Sequence, residues 1–137
     1  MSASVRRRSA PRSPSSAPEL QLRIRVRVGD VVAIGPGKIA LLAGVAEHGS
    51  ISAAARSLGM SYRRAWLLID ELNRSLAAPA IATTQGGRQG GGASVTASGE
   101  ALLEIYRRIE RDALAATRAD TARLLRMLAE PDAGAKA

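Results

Sequence analysis

The chain has 137 residues, 46% of them apolar but only 2% aromatic, and a formal net charge of +8. That length suits one domain with tails, and its core has to come from Leu, Ile, Val and Ala, as in a mostly helical fold. The absence of Cys excludes disulfides and thiolate metal sites. No run nears the roughly 18 apolar residues of a membrane span, and Ser and Pro, rather than an apolar stretch, follow Arg6, Arg7 and Arg8, so no secretory signal is read and a cytoplasmic location is expected.

The charge is unevenly placed. Residues 1–20 carry four Arg against one Glu, and residues 21–97 carry nine Lys and Arg against four acids. Residues 98–137 carry seven of each sign. A basic surface confined to one part of a chain is the footprint of a polyanion binder.

Residues 1–19 are rich in Ser, Pro, Ala and Arg. They cannot bury enough apolar surface to offset chain entropy and are expected to form a disordered basic tail. Leu22-Arg23-Ile24-Arg25-Val26-Arg27-Val28 alternates with period two, so a strand with one buried and one wet face is expected over 22–28. Gly29-Asp30 turns the chain, Val31–Ile34 forms a short second strand, and Gly35-Pro36-Gly37 ends it.

A first helix is expected over Lys38–Glu47, with Ile39, Leu42 and Val45/Ala46 inward, and Gly49 ends it. Ser50 is an N-cap residue for a second helix over Ile51–Leu58. Gly59 supplies the left-handed turn that follows. Ser61 caps a third helix to Ser75, with Ala65, Leu68, Ile69 and Leu72 inward and Tyr62, Arg63 and Arg64 outward. Two short strands, Ile81–Thr84 and Ser94–Thr96, flank a loop in which five glycines surround Arg88. Ser98 is expected to cap a long last helix to Ala129, with a break near Thr117–Asp120 as an alternative; residues 131–137 are expected to be disordered.

Two capped helices across a glycine turn, then a glycine-rich hairpin, are the order of a winged helix-turn-helix. The third helix of such a fold enters the major groove and sets its first residues on base edges. Arg63 and Arg64 stand in that first turn, and Arg can hold guanine O6 and N7 through two hydrogen bonds. Tyr62 reaches a phosphate or a base. Trp66, one turn on, either lines this surface or fills the seam between helix and wing. The glycines let the wing backbone approach DNA, with Arg88 in the minor groove or on a phosphate.

Other constellations are weaker. The wing lacks the P-loop pattern. Gly35-Pro36-Gly37-Lys38-Ile39-Ala40 imitates a dinucleotide fingerprint, but more helices follow it rather than a second parallel strand. His48 is the sole His, so neither a zinc set nor a catalytic nucleophile–base pair is visible, and Asp70 and Glu71 read as solvated helix residues. No enzyme activity, cofactor or metal is expected.

The stretches G-S-I-S-A-A-A at 49–55, S-Y-R-R-A-W at 61–66, E-L-N at 71–73, G-G-R-Q-G-G-G-A at 86–93 and V-T-A-S-G at 95–99 carry a family likeness. They resemble the N-terminal domain of ModE-type molybdenum-dependent transcriptional regulators, winged-helix relatives of the LysR DNA-binding domain. The resemblance covers residues 20–118. It implies a homodimer on a palindromic operator, joined through the first and last helices. Ser61, Tyr62, Arg63 and Arg64 would lie on DNA, and Arg88 in the wing. Regulators of this type carry C-terminal molybdate-binding domains. None fits before residue 137, so molybdate binding by this chain is not expected.

The expectation is therefore a mainly α protein with a small β component: a winged helix-turn-helix at 20–97 and a long dimerisation helix at 98–130. Its function would be that of a dimeric, sequence-specific transcriptional regulator on double-stranded DNA. A winged-helix module that binds proteins instead is the alternative. The DNA-contacting set is Ser61, Tyr62, Arg63, Arg64, Trp66 and Arg88.

Overall fold

The computed structural model describes residues 17–84 and 92–130. Within it, Leu22–Ala115 is one compact unit, and the residues from Ala116 on lie in a second.

The first unit opens with an antiparallel hairpin of β1 (Val26–Val28) and β2 (Val31–Ile34). The strand expected over 22–28 is thus three residues long. The register explains this: Val26 faces Ile34, and Gly35-Pro36 follows Ile34 at once, so residues before Val26 have no opposite strand. The expected buried face is also partial. Leu22 and Ile24 are half-buried, whereas Val26, Val28 and Val31 are exposed.

Pro36 opens α1 (Pro36–His48), whose fixed φ and missing N–H suit the first turn of a helix. This helix is the centre of the core. Leu41, Leu42 and Val45 are fully or almost fully buried, and Ile39 nearly so. Leu41 lies outside the single stripe read from the sequence, and Ala46, placed on that stripe, is exposed. A helix packed on several sides has no single stripe to read.

Helix α2 (Ile51–Ser57) is capped by Ser50, whose Oγ accepts from the Ala53 amide at 3.0 Å. It crosses α1 at Gly44, where a Cβ would stand 2.9 Å from the Cβ of Ala54. Gly59 turns the chain with φ +70, a value L side chains rarely adopt. Helix α3 (Tyr62–Ser75) follows, with Ser61 Oγ accepting from the Arg64 amide at 3.1 Å. Its buried side is Ala65, Ile69 and Leu72, with Leu68 half-buried.

Strands β3 (Ile81–Thr83) and β4 (Ala93–Val95) pair antiparallel, Ile81 opposite Val95. They are the base of the wing; Arg88 and its neighbours lie outside the described residues. The Ala93 amide donates to the Gly49 carbonyl at 3.0 Å, tying the wing to the end of α1.

Helix α4 (Ala97–Ala116) starts one residue earlier than read, because Thr96 is its cap. Thr96 Oγ1 accepts from the Gly99 amide at 3.0 Å and donates to the Pro79 carbonyl at 2.7 Å. Ser98, expected as the cap, donates its hydroxyl to the Ala78 carbonyl at 3.0 Å. Gly99, Leu103 and Tyr106 face the core at i, i+4, i+7, and the Tyr106 hydroxyl donates to the Ile24 carbonyl at 2.7 Å. The helix expected to run to 129 is interrupted at Thr117 (ψ 14), where the alternative break was read, and α5 (Arg118–Arg126) follows with no buried residue.

Candidate nucleic-acid interface

Successive residues of a helix advance by about 100°. On α3, with Ala65, Ile69 and Leu72 inward, the opposite line is Arg63, Leu67, Asp70 and Arg74. Tyr62 and Trp66 flank that line on one side, Arg64 and Glu71 on the other. Tyr62 is 54% exposed, Trp66 45% and Leu67 52%.

An indole and a leucine are left half in water here, while Ala65 and Ile69 fill the inward side of the same helix. Trp66 therefore does not fill an enclosed seam among the described residues. Ser61 is exposed, and its oxygen already serves the helix cap, so its proton remains to donate. Leu67 was not singled out from the sequence, although its place one turn after Arg63 would have shown it.

The acids on this helix are not merely solvated, as the sequence reading had them. Asp70 pairs with Arg74 at 2.9 Å, which neutralises the C-terminal half of the outward line. Glu71 pairs with Lys38 at 3.1 Å, and the buried Lys38 ammonium also donates to the Val32 carbonyl at 2.6 Å. Arg63 and Arg64 appear in none of the ion pairs between described residues. Free positive charge on α3 is thus concentrated in its first turn.

The attitude of the wing to α3 is set by one side chain. Asn73 Oδ1 accepts from the amides of Ala80 (2.8 Å) and Ile81 (3.2 Å), and its Nδ2 donates to the Ile81 carbonyl at 3.0 Å. The side-chain amide acts as a piece of strand joining the end of α3 to the start of β3. The sequence reading included Asn73 only as part of a family stretch.

Among the described residues no group of three or more His, Asp or Glu is arranged to hold a metal ion, and no helix is long and apolar enough to cross a membrane.

Two helices across a tight turn, the second capped and facing outward beside a two-stranded wing, define a winged helix-turn-helix. Residues 37–100 match the family of bacterial regulatory helix-turn-helix proteins of the lysR family. The chain is 47% identical over 77 residues to the molybdenum-pterin-binding protein MopB of Rhodobacter capsulatus, covering 56% of this chain and 28% of that one. It is 37% identical over 78 residues to the molybdenum transport protein ModE of Azotobacter vinelandii, covering 57% and 29%. The match thus spans less than a third of these relatives. Among solved structures, the CbnR_DBD–DNA complex is 30% identical, with a TM-score of 0.47, over 64% of this chain and 93% of that one.

Proposed function

We propose that this protein is a cytoplasmic, sequence-specific DNA-binding transcriptional regulator that acts as a homodimer on an inverted-repeat operator. The observation that carries the reading is the outward face of α3. Its capped first turn presents Arg63, which is in none of the ion pairs between described residues, with Tyr62, Trp66 and Leu67 around it. Arg63 reads a guanine edge, Leu67 contacts a thymine methyl, and Tyr62 and Ser61 donate to backbone phosphates. Arg88 extends the contact from the wing. The similarity to ModE and MopB supports a regulator of molybdenum-related genes.

Dimerisation is supported by a second apolar stripe on α4. Leu102, Ile105 and Ile109 lie about 100° around the helix from the residues that face the core, and Ile105 and Ile109 are 51% and 50% exposed. The balanced charge of residues 98–137 lets two copies approach there. A two-fold pair of α4 helices would set two α3 helices in inverted repeat.

The test is to recover genomic fragments retained by the purified chain and to align them. An inverted repeat shared by the fragments is the expected result. Retention of partner proteins with no DNA selected would overturn the reading.

A further inference from the structure

Beside α3 lies a surface groove of about 550 Å³ between the β1–β2 hairpin, the start of α1 and the flank of α3. Its charged lining is Arg23, Arg25, Lys38, Arg64 and Glu71. Glu71, the single carboxylate, is held by Lys38. Glu110 on α4 is close enough to act on Tyr106 together with Arg23 and Arg25, yet none of the ion pairs between described residues includes Arg23, Arg25 or Arg64. Three exposed guanidinium groups therefore share one groove without an ion pair to any described residue. Such an arrangement is electrostatically unfavourable alone and is relieved by an anion, and the planar fork of Arg fits phosphate oxygens in particular.

We infer that this groove holds a backbone phosphate of the DNA strand bordering the major groove that α3 enters. The inference rests on the DNA-binding reading above. Position decides the source of the phosphate: Arg64 is on α3 itself, about 100° from Arg63 toward the hairpin. When Arg63 faces base edges, Arg64 and the hairpin arginines face the flanking strand. The two adjacent arginines thus divide their work. Arg63 reads sequence, while Arg64, Arg23 and Arg25 fix the register of the helix without reading it. Arg23 and Arg25, in the segment that leads into β1 and expected to form an ordinary wet strand face, become part of the interface.

The experiment compares the full chain with an Arg23→Gln/Arg25→Gln double variant, Arg64→Gln and Arg63→Gln on a selected operator and on a scrambled duplex, across a salt series. The double variant and Arg64→Gln are expected to weaken both duplexes by the same factor. They should also flatten the slope of log affinity against log salt by about 0.9 for the phosphate lost. Arg63→Gln is expected to weaken the operator selectively. A neutral methylphosphonate placed at the contacted position should weaken the wild type more than it weakens either the double variant or Arg64→Gln. Arg64→Gln changes an exposed helix residue, so it reports even if the hairpin variant fails to fold. Unchanged slopes in a wild type that binds DNA would overturn the groove assignment and leave the third-helix reading standing. Failure of the wild type to bind any duplex would overturn both.

Discussion

Asn73→Ala is the substitution that most directly separates holding the fold together from touching DNA. It removes an acceptor serving two amides, at 2.8 and 3.2 Å, and a donor to one carbonyl at 3.0 Å. Each such bond contributes about 0.5–1.5 kcal/mol net, and an orphaned buried group costs about 1–3 kcal/mol. Ala80 and Ile81 are buried, so water replaces these partners poorly, although Asn73 itself is only partly buried. A loss of about 2–3 kcal/mol follows, or roughly 8–15 °C in Tm for a domain of this size. Asn73→Asp keeps both acceptor bonds and turns the donor into an oxygen facing the Ile81 carbonyl, so it should cost less, about 1–2 kcal/mol. Urea unfolding followed by circular dichroism measures both. Wing and α3 would also lose their fixed attitude, so operator affinity should fall even where the variant remains folded. An Asn73→Ala protein within 0.5 kcal/mol of the wild type would refute the argument that this side chain substitutes for a strand.

Gly44→Ala places a Cβ 2.9 Å from that of Ala54 and should destabilise by about 1–2 kcal/mol despite better helix propensity; Ala54→Gly in the same chain should recover part of the loss, as a double-mutant cycle would show. Glu71→Gln removes the countercharge of the buried Lys38 ammonium and leaves it the Val32 carbonyl and a neutral amide oxygen; because the Glu71 side chain is 59% exposed, the expected cost in denaturant unfolding is modest, about 1 kcal/mol. Burial, then the charge of Glu110, raises the Tyr106 phenol above its ordinary value, against the opposing pull of Arg23 and Arg25. The neutral phenol's stabilisation is therefore complete below about pH 10 and is lost as pH rises through the folded-state value. Tyr106→Phe should cost about 0.5–1.5 kcal/mol at neutral pH and remove that alkaline loss from stability curves measured against pH. Ile105→Glu/Ile109→Glu should sediment as a monomer that keeps the wild type's helical circular-dichroism signal and melts lower, as the loss of a partner subunit requires; persistence of a dimer would place the interface elsewhere, with the exposed valines of the hairpin the next surface to change.

The order of helices was legible because its signals are local. Ser50 and Ser61 sit at caps that chain-local chemistry dictates, and Gly59 sits at a backbone angle that few other residues adopt. What could not be read depends on contacts across the fold. The length of β1 was set by where β2 ends, not by its own alternating Arg and apolar residues. Thr96 displaced Ser98 as a cap because the Pro79 carbonyl, 17 residues back, was there to receive its proton. Glu71 looked solvated because Lys38 lies on another helix, and Leu67 went unnoticed because an apolar residue in a helix reads as core until its neighbours fix the inward side. On α4 the line that faces the core and the exposed isoleucine line separate only once the packing of the helix is fixed.

Those two stripes and the division of charge on α3 express the same economy. A domain this small has one core, centred on α1, and each peripheral helix gives it a narrow line of residues: Ala65, Ile69 and Leu72 from α3, Gly99, Leu103 and Tyr106 from α4. Ala65 is fully buried and Gly99 leaves room for the Ala80 carbonyl, so little side-chain bulk is spent inward there. What remains on each helix is free to be specialised. On α3 the excess is cationic and aromatic, and Asp70–Arg74 and Lys38–Glu71 quench the charge everywhere except the first turn. On α4 the excess is aliphatic, and an i,i+4 pair such as Glu104–Arg108 at 2.7 Å keeps its flank neutral. The proposed DNA contact uses the first surface and the proposed pairing of two copies the other. The two proposed contacts do not compete, because the first turn of α3 and the exposed isoleucines of α4 lie on different helices.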